Sequence, residues 1–125
     1  MQQFLLLIRE DLKRRANLSP ADYEAQANMV GEWIDKMAAA GNFLSASALY
    51  DQGRYVTKKS ILSDGPFIEA KESISGFILI QAESFNDAAA LAQACPMIHA
   101  GIAAIEVRAL QENARDKPVP GSVRP

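Results

Sequence analysis

Two Ser-x-x-Asp tetrads, Ser19-Pro20-Ala21-Asp22 and Ser84-Phe85-Asn86-Asp87, constrain the fold of this chain more than any other feature. In each, the serine can cap a helix and the aspartate three residues on closes the capping box. Pro20 suits the first helical position. Behind Ser19, the residues Tyr23, Ala27, Val30, Ile34 and Met37 mark one face of a helix, and Gly41 follows as its C-terminal cap. Behind Ser84, the residues Ala88, Leu91, Ala92 and Cys95 carry the apolar face of a second helix, which Pro96 stops.

Strand-like segments surround both helices. Residues 3–9 form an apolar run ending in Arg9, as expected of a strand covered on both faces. Residues 43–50 read as a strand, Asp51-Gln52-Gly53 as a turn and residues 54–57 as a further strand. Ile61-Leu62 either continues that strand or opens a short extra hairpin. Residues 76–82 read as a core strand. In the last strand, residues 102–110, the side chains of Ile105, Val107 and Ala109 alternate with Glu106 and Arg108, so one face is core and the other polar.

The order β-α-β-β-α-β predicts an α+β, ferredoxin-like fold with both helices on one face of an antiparallel sheet. The apolar runs in the first strand and in residues 76–82 require cover for the other face. Two such sheets packed face to face in a homodimer, a dimeric α+β barrel, would supply it and leave room for a ligand cavity. The domain is expected to span residues 1–110. Residues 111–125, with three of the six prolines, read as a flexible C-terminal tail.

Composition narrows the function. The net charge of −2 and pI near 5.4 argue against direct nucleic-acid binding. No apolar run approaches the roughly 20 residues of a membrane helix. No signal peptide is visible, and the single cysteine, Cys95, permits no internal disulfide, so a cytoplasmic protein is expected. Lys13-Arg14-Arg15 reads as a solvated loop. One histidine, His99, cannot make a usual metal site, and it is expected exposed in a loop at residues 97–101. Neither metal nor cofactor is expected. The chain has no glycine-rich phosphate loop and no G-x-S-x-G elbow, which speaks against nucleotide-dependent and serine-hydrolase chemistry.

Chemistry concentrates in residues 63–72, where a turn, an aromatic, three carboxylates and a lysine precede the core strand. Asp64 can act as a general base or can hold its own turn through backbone N–H groups. Phe67 can wall a pocket or anchor the loop. Glu69, Lys71 and Glu72 can select a polar ligand or form surface ion pairs. Glu106 and Arg108 can grip an anionic ligand or make a cross-strand salt bridge.

Asp64-Gly65-Pro66-Phe67, followed by Glu69, Lys71, Glu72 and Gly76, resembles the motif of the YCII-related (DGPF-domain) family. Glu106-Val107-Arg108 resembles the family's closing strand, with Ala109 in place of a proline, and Cys95-Pro96 also fits. The resemblance covers roughly residues 2–110. It implies a dimeric ferredoxin-like barrel. It also aligns Asp64 with the aspartate of a His–Asp pair proposed in the YciI branch. The histidine of that pair has no counterpart here, and Arg9 and Glu10 occupy its region. An association of the DGPF branch with sigma factors implies a regulatory role. Three functions follow as expectations. One is a small-molecule-binding dimer with a cavity near Asp64, Phe67, Glu106 and Arg108, with Lys71 and Glu72 as further ligand contacts. The second is a cofactor-free isomerase or lyase with Asp64 as base. The third is a regulatory interaction module.

Overall fold

The structure is a computed structural model that describes residues 1–63 and 72–111. Strand β1 (Gln2–Asp11) runs through the short α1 (Leu12–Ala16) into α2 (Pro20–Ala39) and β2 (Phe43–Ala48). The strands β3 (Arg54–Val56) and β4 (Ile61–Ser63) come next, then β5 (Glu72–Ala82). Helices α3 (Phe85–Gln93) and α4 (Pro96–His99) lead to β6 (Ala103–Ala109). Four antiparallel strands form one sheet in the order β2-β5-β1-β6, while among the described residues β3 and β4 pair only with each other. Without that hairpin and the short helices, the order is the expected βαββαβ. The hairpin resolves the ambiguity at Ile61-Leu62.

Both capping serines act as the sequence predicts. Ser19 Oγ accepts from the Asp22 amide and Ser84 Oγ from the Asp87 amide, each at 3.1 Å. Gly41 follows the end of α2 with φ of 83°, a conformation that favours glycine.

The core lies between the sheet and the two long helices. Phe4, Leu6 and Ile8 of β1 and Ile78 and Ile80 of β5 pack beneath Trp33, Met37, Ala88 and Ala92. Each large aliphatic side chain so buried contributes about 1.5–3 kcal/mol. Phe4 meets Phe85 edge to face at 5.4 Å. The Trp33 indole N–H donates to the Leu91 carbonyl at 3.0 Å, which satisfies its one polar atom. Cys95 is fully buried here, and burial pushes its thiol pKa up.

The apolar run of β1 serves two faces. Its even-numbered residues enter the core, while Leu5 and Leu7, with Phe77 and Leu79 opposite them on β5, point to the other side and stay half-buried. The register shifts between Ile8 and Arg9: Ile8 faces Gly76, but Arg9 faces Ile74. A bulge of this kind sharpens the local twist. A Cβ on Gly76 would lie 2.9 Å from the Ser47 carbonyl oxygen, so glycine here lets β2 approach β5. Gly76 is therefore interior to β5, which begins at Glu72 rather than at the glycine.

Three local expectations change. Lys13-Arg14-Arg15 is helical, because Asp11 Oδ1 accepts from the Lys13 and Arg14 amides at 3.0 and 3.2 Å and starts α1. His99 ends α4 rather than lying in a loop, since Pro96 starts a new helical turn. Its side chain is exposed, with Nε2 3.1 Å from the Gln93 carbonyl oxygen. Tyr23 and Ala27, on the predicted core stripe of α2, are exposed.

Candidate functional site

Strand β1 ends in three charged residues, and its alternation sends them to opposite faces. Glu10 follows Phe4, Leu6 and Ile8 onto the helix-covered face, where only 10% of its side chain is exposed. A carboxylate so placed needs a partner. The partner is Arg15, whose Nη1 donates to Glu10 Oε2 at 3.1 Å. Because α1 begins directly after β1, a residue five positions on turns back over the strand end. Arg15 Nη2 also donates to both oxygens of Asp51, at 3.1 and 2.9 Å. Asp51 comes from the turn after β2. Burial alone would lower the Arg15 pKa, but the hydrogen bonds and charges of Asp51 and Glu10 outweigh it and raise the pKa above its ordinary value.

Beside this pair, a cavity of about 400 Å³ opens between α2 and the sheet. Small-molecule sites typically measure about 300–1,000 Å³. Tyr23, Ala27, Val30 and Ile34 form its helical wall. Ile8, Gly76 and Ile78 form the floor, and Leu18, Met97 and Ile102 line it further. This accounts for the exposure of Tyr23 and Ala27. The α2 stripe is continuous in sequence, but Met37 enters the core, Tyr23 and Ala27 wall the cavity, and Val30 and Ile34 border both. Gln26 also lines the cavity, and its Oε1 is buried without a hydrogen-bond partner. Among the described residues, no three His, Cys, Asp or Glu side chains converge as metal ligands.

The residues singled out from sequence are distributed differently. Glu106 and Arg108 lie on the opposite face of the sheet. Arg9 donates to Glu106 Oε1 through Nη2 at 2.8 Å and Nε at 3.1 Å, and Arg108 Nη1 donates to Oε2 at 3.1 Å. The hydrogen bonds from Arg9 and then from Arg108 hold the Glu106 pKa below the usual carboxylate range. The two residues share a face, as expected, and they form an ion-paired cluster outside the cavity. Asp64, Phe67, Glu69 and Lys71 lie outside the described residues, as do residues 112–125. Glu72 opens β5 opposite Asp11, one residue beyond Glu10. Strand β5 thus begins next to the strand end that carries Glu10.

Sequence reasoning passes over Glu10, Arg15 and Asp51. For Glu10 a signal exists, since it continues the even-numbered series Phe4, Leu6, Ile8. Arg15 and Asp51 carry none, because only the turn into α1 and the position of the 51–53 turn bring them together.

The model of the YCII-related domain family matches residues 4–111. The chain belongs to the YCII-related domain family. Among solved structures, this YCII-related protein is similar to TftG of Burkholderia phenoliruptrix AC1100, a 5-chloro-2-hydroxyhydroquinone dehydrochlorinase in complex with 2,5-dihydroxybenzoquinone. The TM-score is 0.51 at 15% identity, with 90% of this chain and 97% of that chain covered. At that identity the likeness shows the fold alone. No curated protein sequence matches the chain.

Proposed function

We propose that this YCII-related protein is a small-molecule-binding homodimer whose ligand occupies the cavity between α2 and the sheet. One observation carries the reading: a largely buried carboxylate, Glu10, lines an otherwise mostly apolar cavity of about 400 Å³. Small-ligand sites combine apolar walls with a few placed polar groups in this way. That TftG is named in complex with a small quinone supports it. In this reading Phe67, Lys71 and Glu72 are further ligand contacts. An anion at Arg9 or Arg108 would have to displace Glu106, so that cluster is assigned to the border of the dimer face. The dimer forms through Leu5, Leu7, Phe77 and Leu79, the half-buried apolar centre of the sheet's other face.

Native mass spectrometry of the purified protein tests both parts. The expected result is a dimer that carries or takes up small-molecule mass. A monomer would overturn the dimer, and a dimer that takes up no mass from a small-molecule library would overturn the ligand role.

A second reading is a cofactor-free isomerase or lyase with Asp64 as general base. The naming of TftG as a dehydrochlorinase, an enzyme of elimination, favours it. It requires Asp64→Asn to abolish turnover and leave the melting temperature unchanged. A variant that loses stability and keeps turnover would make Asp64 a turn residue.

A further inference from the structure

We infer that Glu10 is the ligand-recognising group of the cavity. It selects molecules that present a neutral hydrogen-bond donor, such as a hydroxyl on a small ring, and turns away carboxylates and phosphates. The inference rests on the cavity reading above and adds the chemical class of the ligand.

The argument is a count of donors and acceptors. Glu10 is held on one side only: Oε2 accepts from Arg15, and Oε1 makes no hydrogen bond among the described residues. The side chain lines the cavity and is nine-tenths buried, so Oε1 is an acceptor offered to whatever enters. The one cation among the described residues lining the cavity, Arg15, is committed to two carboxylates, Glu10 through Nη1 and Asp51 through Nη2. Among the described residues, two carboxylates around one guanidinium leave a net negative charge at this end. An anion entering here meets like charge between apolar walls, where screening is weak. A hydroxyl donor meets a carboxylate oxygen and gains a charge-assisted bond. Val30, Ile34 and Ile78 leave the rest of the ligand apolar. A volume of about 400 Å³ accommodates a substituted six-membered ring.

Three ring compounds separate the possibilities: phenol, a donor; anisole, the same ring without one; and benzoate, an anion. Each is titrated into the full chain and followed by the backbone amide NMR signals of residues 8–10, 23–34 and 76–78. Phenol is expected to move these signals with an affinity roughly tenfold above that of anisole, the factor one charge-assisted hydrogen bond supplies. Benzoate is expected to leave them in place. Glu10→Met removes the acceptor and should bring phenol down to the level of anisole. Glu10→Gln keeps an acceptor and the side-chain size, removes the negative charge, and should admit benzoate. Either variant suffices if the other does not fold. Anisole and phenol binding alike in the wild type would overturn donor recognition and leave the cavity reading standing. Cavity signals unmoved by all three compounds would overturn the cavity reading itself.

Discussion

Glu10 Oε2 and Arg15 Nη1 lie 3.1 Å apart across the junction of β1 and α1. The two ends of this bond are unequally exposed, with side chains 10% and 25% accessible, so neither charge is fully hydrated. Removing one partner therefore costs more than the bond itself is worth. Arg15→Met is expected to lower stability by about 2–3 kcal/mol. Asp51 is two-thirds exposed, and Asp51→Asn should cost less than about 1 kcal/mol. Urea denaturation of the two variants gives the comparison. Equal losses would show that the Glu10 contact adds nothing to the Asp51 contact.

Glu106 makes a pH prediction. Its pKa in the folded protein is depressed by the hydrogen bonds from Arg9 and Arg108. A depressed carboxylate pKa contributes stability above the unfolded value, about 4.3 for glutamate. The contribution fades as pH falls from there through the folded pKa. Wild-type stability should therefore decline more steeply below about pH 4.3 than that of Glu106→Gln. Carboxyl-carbon NMR titration reads the same group directly, and a midpoint at the ordinary value would contradict the Arg9 contact.

Gly76 has no room for a methyl group. The Ser47 carbonyl oxygen, 2.9 Å from where a Cβ would sit, belongs to the backbone of the neighbouring strand and cannot rotate away. Gly76→Ala should force β2 from β5 and cost about 1–3 kcal/mol. Because Gly76 also lines the cavity, ligand uptake should fall with it. Gly31 is the control, since a methyl group there would meet nothing within 4 Å. Gly31→Ala should stabilise α2 by up to about 1 kcal/mol, measured in the same urea experiment.

The apolar centre of the open sheet face makes an assembly prediction. Leu79 lies opposite Leu5 on that face. A charge at its centre would have to be buried in any face-to-face pairing. Leu79→Glu is expected to be a folded monomer, in contrast to the dimer proposed for the wild type. Sedimentation equilibrium reads the mass and circular dichroism the fold. A variant that stays dimeric would place the interface elsewhere.

Much of this architecture is legible in the sequence, for local reasons. The serines at 19 and 84 set the helix starts because a cap is a three-residue matter. Alternation in β6 shows Glu106 and Arg108 sharing a face because a strand repeats every two residues. The site is less legible. The apolar run of β1 stops at Arg9, and only a strand one residue longer puts Glu10 on the core face. The stripe of α2 cannot show that Tyr23 and Ala27 face a cavity while Met37 faces the core, since periodicity records a face and not what fills the space opposite. The contact between Arg15 and Asp51 depends on where two turns meet, which no spacing encodes.

The position of β1 has a consequence for how the protein is made. It is an interior strand, with Phe4 facing Ile80 on one side and Ala109 on the other. Both partners are translated long after it. Until β5 and then β6 leave the ribosome, the run from Phe4 to Ile8 has no strand to pair with, and nearly all the order-defining contacts of the sheet must wait. Such a chain folds late and as a unit, and its most apolar segment is the one that spends longest as a potential client of chaperones.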